Sequence, residues 1–230
     1  MNPYSNGLHS YPVGTVNNPS YQGPYSQYTA PVRYILNNQT DLYGRCCISK
    51  AEAEFKSMNR LLWMEHVNWT RMTIMGIVFS LPDLQVVQER LLRNATDLGN
   101  CLRPFYGHKI ADRYAALINE HLVLAAELVT AAAKGDANKA AEAEKQWYRN
   151  ADDIAEFLSS INPYLNKEEV RKMFYSHLAL TKQEAVYMLQ KNYKADVEVF
   201  DKIEAQALEM SDMIAGGIIM QFPGMFMPLC

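Results

Sequence analysis

The chain has 230 residues, 49 % of them hydrophobic, which is enough for one sizeable core rather than a string of small domains. Its 22 basic and 25 acidic residues leave a net charge of -3 and form no basic stripe, so the electrostatic footprint of a nucleic-acid binder is missing. No nucleic-acid partner is expected.

Residues 1–32 contain no Asp, Glu, Lys or Arg, yet they hold Tyr4, Tyr11, Tyr21, Tyr25 and Tyr28 among Pro, Gly, Asn and Ser. Such a segment has no periodic apolar face, so residues 1–45 are expected to be an extended or disordered arm whose tyrosines are available for assembly contacts. No basic segment followed by an apolar run opens it. A signal peptide is therefore not expected, and an intracellular origin is the default.

Helical periodicity begins near Ile48 and defines a domain over 46–222. The first helix is expected from about Ser49 to Ser80, with Phe55, Met58, Leu62, Glu65, Trp69, Met72 and Phe79 on its apolar stripe. "LPD" at 81–83 breaks it. The second carries Val87, Leu91, Asn94, Leu98 and Cys101 and is expected to end at "RPFYG", 103–107. The third, about 109–134, places Tyr114, Leu117, His121, Leu124 and Leu128 on one stripe and stops where Gly135 suits a left-handed cap. The fourth, to about Ser160, has Ala143, Trp147, Asn150, Ile154, Phe157 and Ile161 at the same spacing. Asn166 is the expected N-cap of a fifth helix over about 167–191, and a sixth spans about 195–221. No stretch alternates with period two. The expectation is an all-α, up-and-down bundle of about six helices in three hairpins.

The end of the chain, "MIAGGIIMQFPGMFMPLC", carries no charge after Asp212, but Gly216, Gly217, Gln221, Pro223 and Gly224 interrupt it. It reads as a packed helix end followed by an apolar tail over 223–230, and no membrane span is expected. Cys46, Cys47, Cys101 and Cys230 have neither zinc-site nor prenylation spacing and read as ordinary thiols.

The hairpins repeat. "EHVNWTRMTI" (65–74), "EHLVLAAELV" (120–129) and "SHLALTKQEA" (176–185) align on the first helices, and "RNATDL" (93–98), "RNADDI" (149–154) and, more weakly, "EMSDMI" (209–214) on the second. His66, Asn94, His121, Asn150, His177 and Glu209 all fall 11–16 residues from a hairpin tip. At ~1.5 Å per residue they share one level, roughly 16–24 Å from the tips.

Buried His, Asn and carboxylate groups must bond one another, water or a metal. Two readings of the layer stay open. It is either a hydrogen-bonded device that fixes helix register, or a site for a transition metal such as iron, manganese or zinc. In the second case His66, His121 and His177 are the ligands with Glu65 and Glu120, and Asn94, Asn150 and Glu184 are further binding residues. Glu65 and His66 compete for the same seam position, because neighbours point about 100° apart. The Glu-x-x-His spacing of carboxylate-bridged di-iron bundles is absent, as are a P-loop, a Rossmann glycine pattern and a nucleophile elbow. An enzyme of those classes is not expected.

"LWMEHVNWTRMTI", "RLLRNATDLGNCLRPFYG", "INEHL", "WYRNADDIAEFLSSINPY" and "HLALTKQEA" together resemble a family of small uncharacterised helical proteins of spore-forming bacteria, over about residues 55–222. The acetylglutamate kinase label often attached to that family implies an α/β fold with Gly-rich phosphate loops, which this sequence does not contain. The placement of "EH" is also distantly similar to metal-binding helical bundles of the hemerythrin type. The resemblance implies a cytoplasmic or spore-associated bundle whose polar layer binds a metal or small ligand. The competing expectation is a structural protein of a spore or cell-surface layer, a homo-oligomer or coat-like assembly joined through the Tyr-rich arm. A metal-dependent oxidoreductase is a third.

Overall fold

The computed structural model describes residues 48–227. The Tyr-rich arm, Cys46, Cys47 and Cys230 lie outside the described residues. Five helices follow one another: α1 (Lys50–Phe79), α2 (Leu84–Ala133), α3 (Ala137–Ile161), α4 (Lys167–Leu189) and α5 (Tyr193–Gln221), with a 3₁₀ turn over Pro223–Phe226. No strand occurs among the described residues, so the protein is an all-α bundle.

Short polar side chains start the helices, as their capping chemistry requires. Ser49 Oγ accepts from the Glu52 backbone N–H at 3.1 Å, Asp136 from Lys139 at 3.1 Å, and Asn166 from both Glu168 and Glu169 at 2.9 and 3.2 Å. Gly135 closes α2 with φ 72°, a left-handed conformation that a Cβ would strain.

Where two helices are expected over 84–134, the structure assigns a single 50-residue element containing Pro104. Gly107 breaks its course, with φ 77° and ψ 179°. The two limbs then fold back on each other: a Cβ at Gly99 would lie 2.7 Å from both the Ala111 carbonyl oxygen and Ala115 Cβ. Gly99→Ala is therefore expected to cost about 2 kcal/mol through overpacking, because a backbone oxygen cannot step aside as a flexible side chain can. Urea unfolding of the variant checks this. A cost under ~0.5 kcal/mol would mean the limbs are not held that closely.

Each helix packs beside its chain neighbours, and α1 also packs against α5, which closes the ring. Trp63, Trp147, Tyr114, Phe174 and Leu98 are among the largest fully buried side chains. At one end Phe55, Phe105 and Phe226 meet with ring centroids 5.0–5.5 Å apart, so the described part of the apolar tail is part of the core. One helix, α2, holds an 18-residue window apolar enough to cross a membrane, with mean hydropathy 1.4. However, 44 % of that window is buried in the bundle and the element reverses at Gly107.

The apolar stripe expected on α1 is displaced by one position. Met58 and Met72 are 45 % exposed and Phe79 is 39 % exposed, while Asn59, Trp63, His66, Thr70 and Thr73 face the core. His66 thus takes the seam position for which Glu65 competes.

Candidate metal centre

His66 on α1, His121 on the second limb of α2 and His177 on α4 are each 2 % exposed and meet in the middle of the bundle. Their ring centroids are 5.8–6.3 Å apart, and one ring nitrogen of each lies within 4.8 Å of the others.

A carboxamide from the following helix or limb holds each ring. His66 Nδ1 lies 3.1 Å from Asn94 Oδ1, His121 Nδ1 lies 3.1 Å from Asn150 Oδ1, and His177 Nδ1 lies 3.0 Å from Gln206 Oε1. Each carboxamide N–H₂ in turn donates to the carbonyl four residues before its histidine. Asn94 reaches Leu62 at 2.9 Å, Asn150 reaches Leu117 at 3.1 Å and Gln206 reaches Met173 at 3.1 Å. Those second bonds fix the amide orientation, so each amide oxygen faces its ring and Nδ1 must carry the proton. The bare lone pair in each ring is then on Nε2.

The rings are neutral at ordinary pH. Burial pushes His66 down to about 3 and His177 down to about 4. His121 is held well below its ordinary value, first by burial and then by the charges His177 and His66 would carry. Trp147, 2 % exposed on α3, donates its indole N–H to His121 Nε2 at 3.2 Å. No carboxylate shares the cluster of ring nitrogens.

Glu65 and Glu120 do not reach the rings. Glu65 pairs with Arg90 at 2.9 Å and Glu120 with Arg149 at 3.0 Å, both partly exposed. Once each neighbouring histidine takes the seam, the ~100° step to the glutamate points it out of the core, where an arginine meets it. Asn94 and Asn150 do join the layer, through the ring Nδ1 atoms. Glu184, 1 % exposed, belongs to a separate cluster in which Arg71 pairs with both Glu184 and Asp196, the latter through two bonds of 2.9 Å. Burial outweighs the shared guanidinium and raises the Glu184 carboxyl to about 7.

Gln206, not Glu209, is the third helix-holding residue, and Glu209 is exposed. Three functional groups have no counterpart in the sequence reading: Gln206, the Trp147 indole N–H and the Arg71–Asp196 pair. The first was recoverable from spacing, since histidine and carboxamide are 28, 29 and 29 residues apart. No family model, curated protein or solved structure matches the chain.

Proposed function

We propose that the protein is a metal-binding helical bundle in which His66, His121 and His177 hold one transition-metal ion through Nε2. The observation that carries this reading is the convergence of three neutral imidazoles whose Nδ1–H groups are already committed to carboxamides. Three ring nitrogens within 4.8 Å of one another are a ready set of donors for an electron-poor centre, which would take the place of the Trp147 N–H at His121 Nε2. Metal-ligating histidines characteristically donate their other ring N–H to a fixed acceptor, which orients the ring and sets the tautomer.

An ion centred among nitrogens no more than 4.8 Å apart stands at most about 2.8 Å from each, against ~2.0–2.1 Å for a Zn–N bond, so binding requires each ring to close in by less than ~1 Å. Three imidazoles without a carboxylate suit zinc, and also iron, better than manganese, which prefers oxygen donors. Rings with depressed pKa values need no deprotonation at neutral pH, which removes one ordinary cost of metal binding. We further infer that the three histidine–carboxamide units are copies of one repeated helical hairpin.

A second reading has its own observation. The Trp147 N–H satisfies His121 Nε2, as a closed layer serving only helix register would require. Elemental analysis separates the two readings, on protein purified without an affinity tag, stripped by chelator and reconstituted with zinc, iron(II) or manganese. The expected result is stoichiometric zinc, lost in the His121→Ala, His177→Ala double variant. Because that variant can lose its fold, thermal melts of the unmodified protein with and without zinc accompany it. Ligand at a thousandfold its Kd should stabilise the fold by ~4 kcal/mol. No metal retained and no shift of the melt would leave the layer as register alone.

A further inference from the structure

One helical turn beyond the histidines the bundle is not filled. On one side of the layer the residues three positions before each histidine, Trp63, Ile118 and Phe174, are large and buried. On the other side the residues four positions after, Thr70, Ala125 and Thr181, are small, and they border a cavity of about 310 Å³. Trp147, whose indole N–H caps His121, also lines it. The cavity is partly open to solvent beside the exposed Lys182 and Val186, and a larger one next to it shares Thr73, Leu91, Leu122 and Ala126.

The walls are apolar, built from side chains such as Ile74, Leu122, Val129 and Ala185. Two hydroxyls interrupt them. Thr73 and Thr181 are 3 % and 4 % exposed, both line the cavity, and neither Oγ1 makes a hydrogen bond among the described residues. Thr70 differs, since its hydroxyl donates to the His66 carbonyl at 2.7 Å. A buried polar atom without a partner is unfavourable, and two of them sit on residues that line one cavity, where a turn about χ1 would bring each oxygen to a ligand atom. The charged groups that line it, Glu144 and Lys182, neutralise each other at 2.6 Å across α3 and α4 and are partly exposed.

We propose that this cavity binds a small, uncharged, mostly apolar molecule that carries one hydroxyl or carbonyl oxygen, with that oxygen placed between Thr73 and Thr181. An apolar cavity of ~150 Å³ accepts benzene, so twice that volume suits a two-ring or medium-chain compound of roughly ten to twelve heavy atoms. A charged ligand is disfavoured because no uncompensated ion lines the interior. The site stands whether or not the histidines hold a metal.

The probes are naphthalene and 2-naphthol, titrated into the metal-free full-length protein while methyl NMR signals of Ile74, Ala125 and Thr181 are followed. Both are expected to shift those signals saturably, with 2-naphthol about fivefold tighter, the effect of one modest hydrogen bond. The Thr73→Val, Thr181→Val double variant keeps the shape of the cavity and should bind both probes equally. Ala185→Leu, which fills the space, should bind neither. No saturable shift with either probe would overturn the site, and so would unchanged binding to a folded Ala185→Leu variant. A 2-naphthol preference that survives in the double valine variant would overturn the assignment of the two hydroxyls.

Discussion

With Glu184 replaced by glutamine, the metal-free protein is expected to lose at least about 4 kcal/mol of stability between pH 7 and pH 5. His66 and His177 are held at about 3 and about 4 by burial, against an ordinary value of 6.5 in the unfolded chain. The unfolded state therefore binds more protons. The stability each ring contributes is complete above about pH 6.5 and lost as the pH falls towards their folded values. At ~1.4 kcal/mol per pH unit, each ring costs about 2 kcal/mol at pH 5. His121 is displaced in the same direction for the same reason and adds to the loss.

Glu184 works the other way. Its folded carboxyl titrates at about 7 against an ordinary 4.5, so its contribution is complete below about pH 4.5 and lost as the pH rises through 7. Acidification from pH 7 to pH 5 thus gains roughly 2 kcal/mol from Glu184 and masks part of the histidine effect in the unaltered protein. Glutamine keeps an acceptor for Arg71 and removes the titration. Urea unfolding at the two pH values, with chelator present, measures the difference. A free energy of unfolding that does not change across this range would mean that the three rings are not buried as neutral imidazoles.

The helical class, most element bounds and the level of the polar layer were legible because each rests on local signals: period, capping residues and the "RNATD" and "RNADD" repeat. The face of α1 was not. The stripe through Met58, Leu62, Glu65, Trp69 and Met72 is the more apolar of two neighbouring ones, yet the structure buries Asn59, Trp63, His66, Thr70 and Thr73 together with Phe55. The two differ by one residue, ~100° of rotation, and hydropathy favours the one that the structure leaves partly exposed. Partners decide: the Asn94 carboxamide holds His66, and Arg90 draws Glu65 outward.

The third repeat failed for a related reason. Aligning "EMSDMI" with "RNATDL" sets Met210 against Asn94, four positions beyond Gln206, and a slip of about one turn leaves the buried stripe unchanged. Only the constant separation from the histidine resolves it. The Arg71 cluster joins α1 to residues of α4 and α5 more than a hundred positions on, and no spacing rule announces such a meeting.

Asn94→Leu, Asn150→Leu and Gln206→Met are each expected to destabilise the protein by about 2 kcal/mol, whereas Glu209→Gln should stay within ~0.5 kcal/mol of the parent. Each carboxamide accepts from a ring Nδ1–H and donates to a backbone carbonyl, at Leu62, Leu117 or Met173. An apolar replacement leaves the ring N–H buried and unbonded, at ~1–3 kcal/mol, while the carbonyl loses a second bond but keeps the helical one from the backbone N–H of the histidine itself. Zinc affinity should fall by ~10–100-fold in the same variants, because a ring freed from its acceptor no longer holds Nε2 bare and aimed at the centre. Asn150→Asp divides the two roles of the side chain. It keeps the acceptor for His121 but loses the donor to Leu117, so it should retain more zinc affinity than Asn150→Leu while remaining destabilised. Equilibrium unfolding and zinc titration, run on the same samples, report the two effects separately. If Gln206→Met proved far milder than both asparagine variants, the third unit would not be equivalent to the other two, and the pseudo-threefold symmetry of the site would reduce to a pair of like hairpins with a third histidine placed beside them.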